Sequence, residues 1–454
     1  MSKITFYTGV GSVTGANFLF EVGSTRALID CGLIQGDREA MRENREQFGY
    51  NPVSMDMLFI THAHLDHVGR IPKLVREGFK GTIYSTPETM ALAELILEDA
   101  VGLMTKEAER EGLAPLYEIH DVKNTMLLWK TIPYHTETSF KDFSLYIKDA
   151  GHILGSGMFQ FTMSENGEKK TVVFTGDLGN SPTPLLRDTE SIENANYVVM
   201  ESVYGDRNHE PKEIRRAKLE GIIKDTITRA GTLIIPAFSI ERTQVILYEI
   251  NNLVESKTIP QIPVFLDSPL AIKVTDVYQG ATNLFNEKAQ EEIKNGDDLF
   301  NFPKLLYTDS KEASQGIDHV KGPKIIIAGS GMSVGGRVRH HEEIYLPDPK
   351  CTILLVGYQT MGSIGRQLLE GAKKVNIDGK EVQVNAKVES IMGYSSHKDS
   401  DNLVEFVGTA QATLKKVFVV MSEPKASTFL AQRINNEMRV KSICPERMAG
   451  YELE

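Results

Sequence analysis

Three imidazoles and a carboxylate fall within six residues, His62-Ala63-His64-Leu65-Asp66-His67. They follow directly on the apolar run Met57-Leu58-Phe59-Ile60, which reads as a buried strand. A strand of that kind delivers the cluster at its end, where a tight turn lets side chains converge on a point. Neutral imidazole and carboxylate suit Zn2+, which binds N and O ligands at about 2.0–2.2 Å. Two histidines two apart, then an Asp-His pair after one spacer, can feed two adjacent cations, which stand roughly 3.5–4 Å apart in two-metal hydrolases. With 11 histidines in 454 residues, three in one hexapeptide are not a chance polar loop.

A chain of 454 residues exceeds one typical core, so two or three domains are expected. No run of 18 apolar residues is present and the N-terminal Met1-Ser2-Lys3-Ile4 runs straight into a strand pattern. Neither a membrane helix nor a signal peptide is expected. The three cysteines, Cys31, Cys351 and Cys444, are far apart and odd in number, which fits reduced thiols in a cytoplasm. A net charge of −11 does not exclude a polyanionic substrate, because phosphate binding follows the local field in a cleft.

The first 200 residues alternate strand-like runs (27–29, 57–60, 171–174, 197–200) with polar turns, and a helix is expected over 87–103. Several strands end in a carboxylate: Asp30, Asp177 and Glu201. From about residue 206, helices over 211–230 and 242–254 alternate with strands over 232–236, 264–266, 324–328 and 352–356. Such alternation implies an α/β domain with a mostly parallel sheet. The strand pattern at 417–420, after a helix over 400–409, resumes the first domain. The expected organisation is therefore 1–205, an inserted domain over 206–385, and a return over 386–454.

Two further sites complete a pattern. Gly151-His152-Ile153-Leu154-Gly155 places a histidine among small residues, and Thr175-Gly176-Asp177 puts a carboxylate at a strand end where it could bridge two cations. Together with Asp30 and the hexapeptide, these motifs resemble those of the metallo-β-lactamase superfamily. Glu201 in Glu201-Ser202-Val203-Tyr204-Gly205 and His397 in Ser395-Ser396-His397-Lys398-Asp399 resemble two extra motifs of its β-CASP branch, which includes RNase J. The resemblance covers essentially the whole chain, including Pro236-Ala237-Phe238-Ser239 and Gly329-Ser330-Gly331-Met332. It implies an αββα sandwich with an inserted β-CASP α/β domain, and zinc-dependent hydrolysis of RNA phosphodiesters by a metal-activated hydroxide.

Carried over by position, the resemblance gives one zinc to His62, His64, His152 and Asp177, and a second to Asp66, His67 and the bridging Asp177. Asp30 would orient a ligand histidine through its other ring nitrogen. Asp66 would orient the attacking water or take its proton, and His397, steered by Glu201, would protonate the leaving oxygen. One departure matters: Met421 stands where the branch carries a further histidine ligand. A thioether is a poor zinc ligand. The second position is expected to be weaker, and admits manganese.

The Gly-rich stretch Ser330 to Arg337, with Arg339, Arg366 and Arg242, supplies candidates for holding phosphates. His340-His341 reads as a pair on a helix surface. A site deep between two domains would admit single-stranded RNA and exclude a duplex on width. No KH or cold-shock module is expected before Met1 or after Glu454, so sequence recognition should be slight. The leading reading is an endonuclease, extending to 5′ exonuclease activity and admitting a homodimer. Its competitors are a non-catalytic RNA-processing subunit, for which Met421 is the motive, and a small-molecule ester or thioester hydrolase.

Overall fold

A computed structural model describes residues 2–36, 38–165 and 167–454. The chain divides into two compact units, Met1–Asn208 with His397–Glu454, and His209–Ser396.

The first unit is built on two seven-stranded sheets. One runs, edge to edge, through Gly450–Glu452, Lys3–Thr8, Asn17–Val22, Thr25–Ile29, Met57–Phe59, Thr82–Ser85 and Trp129–Thr131. The other runs through Lys441–Ile443, Lys416–Val420, Tyr197–Glu201, Glu168–Phe174, Gly157–Glu165, Ser144–Asp149 and Thr138–Ser139. In each sheet the pairing changes from antiparallel to parallel at an inner strand, Thr25–Ile29 in one and Glu168–Phe174 in the other. Strands buried on both faces read as continuous apolar runs, and alternate residues go to opposite sides. Val172, Phe174, Val199, Phe418 and Val420 point into the core between the sheets, together with Phe6, Phe20, Ile29 and Phe59 from the facing sheet. Val173, Val198, Val417 and Val419 point outward, under Leu403, Phe406, Leu430 and Ile434 of the helices Ser400–Gly408 and Pro424–Met438. The result is the four-layered αββα sandwich.

Its centre is aromatic. Phe59 stacks within 5.1–5.8 Å of Phe140, Phe159 and Phe161, and Phe20 lies 5.2 Å from Phe161. Full burial of each such ring contributes about 1.5–3 kcal/mol. This packing fixes the strand ends that carry the polar residues. The helix expected to stop at Leu103 continues to Glu111, because Ala108 is buried and Gly112, in the left-handed region at φ 66°, closes it. No helix among the described residues is long and apolar enough to cross a membrane.

The second unit holds an all-parallel six-stranded sheet in the order Leu305–Tyr307, Val264–Asp267, Lys324–Ala328, Thr232–Pro236, Thr352–Leu355 and Lys387–Ser390. The sequence ends the insertion at 385, but Lys387–Ser390 pairs with Thr352–Leu355, so the chain stays in this unit through Ser396. At the other end Arg207 and Asn208 remain in the first unit, hydrogen-bonded to Ser400 and Asp401.

His340 and His341 do not form a surface pair. His340 faces Asp318 at 2.9 Å, whereas His341 is wholly buried, 2.7 Å from Asp267. Burial would raise the Asp267 carboxyl, but hydrogen bonds from His341, Ser314, Arg337 and Thr308 outweigh it and hold it at about 2. Beside it, burial pushes Glu342 up to about 8, against a hydrogen bond from Ser333 to its carboxyl. A carboxyl raised in the native state binds a proton that the unfolded chain has already released. Its contribution is fully present below the ordinary carboxyl value of about 4.3 and is lost as pH rises through about 8. Glu342→Gln should therefore lose its disadvantage, or gain an advantage, over wild type as pH climbs from 5 to 9. Chemical denaturation at stepped pH reads this, and parallel curves for the two proteins would contradict it.

Candidate metal centre

The strand Met57–Phe59 ends at Ile60, whose amide is held by Tyr84 O, and the chain then turns through 61–64 into the helical turn Leu65–Val68. Asp30 organises this turn. Its carboxylate accepts hydrogen bonds from the Thr61 amide and hydroxyl, both at 2.8 Å, and faces His67 Nδ1 at 2.7 Å. Asp30 adopts φ 57°, uncommon for a residue with a side chain, and the three contacts repay that strain. Next to it Gly32 must lack a side chain, since a Cβ there would lie 1.5 Å from Asp66 O. The two segments are zipped by Ala16 N→Asp66 O, Cys31 N→His67 O and Leu33 N→Leu65 O.

The second sheet brings the rest. His152 sits in the turn after Ser144–Asp149, its amide donating to Ser156 Oγ at 3.0 Å, and the Gly157 amide ties this loop to Thr61 O. Asp177 follows Glu168–Phe174 through Thr175 and Gly176. The outcome is a tight cluster: one donor atom each from His62, His64, His152 and Asp177 lies within 4.8 Å of all the others. His62 Nε2 is 3.1 Å from His64 Nδ1 and 3.4 Å from Asp177 Oδ2, and His152 Nε2 is 3.3 Å from His64 Nδ1. Across Asp177, His67 Nε2 stands 3.4 Å from Asp177 Oδ1 and 3.9 Å from Asp66 Oδ2.

Burial and neighbouring charges set the protonation of the cluster. Burial holds His64 and His152 well below the ordinary histidine value, leaving neutral rings with lone pairs to offer. Burial also raises Asp66. It opposes charge on Asp177 and His67 as well, yet their mutual attraction outweighs it, holding Asp177 well down and His67, with help from Asp30, well up. Among the described residues, the buried His67 Nε2 and Asp177 Oδ1 have no hydrogen-bond partner. Buried polar atoms are rarely left so. Imidazole nitrogens and carboxylate oxygens facing one another at these distances fit divalent metal ions.

Glu201 closes the strand Tyr197–Glu201. Its Oε1 accepts from Leu178 N at 2.8 Å and faces His397 Nδ1 at 3.0 Å. His397 lies 4.0 Å from Asp177 Oδ2 and bridges to Gly179 as a short antiparallel pair. Burial would lower His397, but Glu201 and then Asp177 overcome it and raise the ring to about 9.

Met421 turns away from ligand chemistry. It has φ 53°, its amide donates to Gly9 O at 2.8 Å, and its side chain joins the core with Phe18 and Phe174. With Asp30, His67 and Glu201 it lines a cavity of about 10 Å3, the size of one water.

The phosphate-binding candidates all belong to the second unit. Arg337 is committed within it, donating to Asp267 at 2.7 Å and to the carbonyls of Thr308 and Asp309 at 2.8 and 2.9 Å. The Arg337 side chain remains about a quarter exposed beside these partners. The Ser330 hydroxyl accepts from the amides of Val334 and Gly335, so the Gly-rich loop spends those amides on itself. Arg242 is buried at the start of Arg242–Glu255, Arg339 pairs with Asp378 at 3.1 Å, and Arg366 pairs with Glu370 at 2.6 Å across one exposed helical turn. Sequence reading missed Thr61, Ser156 and Thr189, whose hydroxyls brace the ligand-bearing turns. Isolated hydroxyls leave no pattern in a sequence.

Comparison with known proteins agrees with this geometry. The family model of the metallo-beta-lactamase superfamily matches residues 13–199, that of the Beta-Casp domain residues 243–368, and that of the Zn-dependent metallo-hydrolase RNA specificity domain residues 381–445. Ribonuclease TTHA0252 of Thermus thermophilus is 36% identical over 89% of this chain and 90% of its own length. The chain belongs to the metallo-β-lactamase superfamily, in its β-CASP branch. An RNase J-like protein of Methanocaldococcus jannaschii is 30% identical over 98% of this chain and 99% of its own. Transcription termination factor FttA of Methanosarcina mazei is 31% identical, and the match spans 97% of this chain but 70% of that protein. A crystal structure of a protein of unknown function from Enterococcus faecalis V583 matches over the full length of both chains with a TM-score of 0.59 at 14% identity, which speaks for the fold alone. Membership in this superfamily implies metal binding.

Proposed function

We propose that this chain is a zinc-dependent ribonuclease that cleaves single-stranded RNA, chiefly endonucleolytically, in the cytoplasm. The observation that carries the reading is the four-donor cluster His62/His64/His152/Asp177 with the Glu201–His397 pair at its rim. The similarity to a Thermus ribonuclease and the match to the RNA specificity domain support RNA as substrate. Three free cysteines support a reducing compartment.

In this reading His62, His64, His152 and Asp177 hold one zinc, and Asp66, His67 and Asp177 a second. Bound cations supply Lewis acidity at a phosphodiester and make water a nucleophile near neutral pH. Asp30 fixes the ring of His67 through Nδ1, leaving Nε2 for binding. Asp66, only partly covered, orients the attacking water or takes its proton. His397 is protonated at neutral pH and gives its proton to the leaving ribose oxygen, while Glu201 keeps the imidazole in place. In the second unit, Ser330, Arg337, Arg242 and Arg366 are the proposed phosphate contacts.

Asp66→Ala should abolish cleavage of end-labelled RNA. His397→Gln should slow RNA cleavage by about 100- to 10,000-fold, the usual range for a general acid. It should spare a p-nitrophenyl phosphodiester, whose leaving group needs no proton. Equal losses on both substrates would remove His397 from that role.

Met421 favours a second reading, a non-catalytic RNA-processing subunit with a depleted metal centre. RNA binding without cleavage by wild type would decide for it. On the enzymatic reading, metal analysis should find one zinc that survives mild chelation and a second, or a manganese, that does not. Met421→His should retain both and turn over faster. Two firmly held zincs in wild type would refute the weakened position.

A further inference from the structure

We infer that Thr189 is a positioning residue that locks the His152 loop against the Asp177 loop, and so sets the affinity of the metal that both would hold. The inference rests on the metal assignment above. Its hydroxyl reaches two carbonyls: Ala150 O at 2.9 Å, beside His152, and Gly179 O at 3.1 Å, beside Asp177. One hydroxyl has one proton, so it bridges the two loops by sharing that proton between them. The Thr189 amide adds a third tie, donating to Ser181 Oγ at 3.0 Å, and Gly179 N donates to Ala150 O at 2.8 Å.

The backbones here approach too closely to admit a side chain at Gly151 or Gly179. A Cβ on Gly179 would lie 1.9 Å from Gly151 O, and one on Gly151 would lie 2.8 Å from both Arg187 O and Thr189 N. Gly151 itself sits at φ 64°, held by its amide to Asp149 Oδ1 at 2.8 Å. Three segments therefore meet around the Thr189 side chain, and its hydroxyl is the side-chain donor placed between the two ligand-bearing loops. His152 and Asp177 come from different loops but serve the same four-donor cluster. Loosening one loop against the other separates donors that must stay within reach of one ion. Groups bonded directly to metal ligands typically change metal affinity by about 10- to 100-fold, and Thr189, acting through two backbone carbonyls, is expected at the lower end of that range.

The test is zinc affinity, measured by competition with a chromogenic chelator on wild type, Thr189→Val, Thr189→Ser and Thr189→Ala. Valine keeps the shape and removes the hydroxyl; serine keeps the hydroxyl. The expected result is about a 10-fold weaker tight site in Thr189→Val and Thr189→Ala, with Thr189→Ser close to wild type. Circular dichroism melts of each variant without added zinc should differ little, while the zinc-induced rise in melting temperature shrinks for valine and alanine. Should valine fail to fold, alanine and serine still decide. Affinities within twofold of one another across the set would overturn the role of Thr189. Wild type taking up no zinc would overturn the metal assignment itself, and this inference with it.

Discussion

Negative charge gathered in a buried place needs positive charge to remain there. Asp30, Asp177 and Glu201 are almost wholly buried at strand ends or in the turns that follow them, and Asp66 is partly buried in the helical turn Leu65–Val68. Isolated burial of even one ionised carboxylate would cost far more than the margin of stability of a domain. The pocket answers with imidazoles: His67 lies between Asp30 and Asp177, and His397 beside Glu201. Two of these buried atoms still lack a hydrogen bond among the described residues. A divalent ion is the partner that such a set of donors fits.

The scaffold makes the convergence affordable. The candidate ligands sit at strand ends or in the turns just beyond them, while the strand interiors pack a dense aromatic core. The close approach of turns from opposite sheets depends on glycine, at Gly32 against Asp66 and at Gly176 against Thr61. Gly176, at φ 56°, would place a side chain 2.6 Å from Thr61. One short strap, residues 177–179, does several things at once. It carries the Asp177 carboxylate, its amide holds Glu201, and it pairs with the segment bearing His397. Metal chemistry and proton donation are thereby tied to a single piece of backbone.

Much of this was legible in the sequence because it rests on local signals. The hexapeptide at 62–67 and the apolar runs ending in Asp30, Asp177 and Glu201 announce strand ends bearing ligands. The alternation after residue 206 announces the parallel sheet. What escaped was non-local. The phosphate-holding candidates Arg337 and Arg339 turn out to be paired inside their own unit, and His341 is buried on Asp267. Nothing near Arg337 in the sequence signals that Asp267, far away along the chain, requires its charge. The helix from Pro87 outran its apolar stripe because one buried alanine and a closing glycine suffice to extend it.

Four donors, from His62, His64, His152 and Asp177, lie within reach of one another, while Met421 packs into the core with Phe18 and Phe174. The central claim is that His62, His64, His152 and Asp177 together hold a metal ion. Anomalous diffraction from zinc-grown crystals, recorded on both sides of the zinc absorption edge, tests it most directly. The account predicts the strongest difference peak among those four side chains, with a weaker one, if any, toward Asp66 and His67. A map whose zinc peaks all lie elsewhere would contradict it.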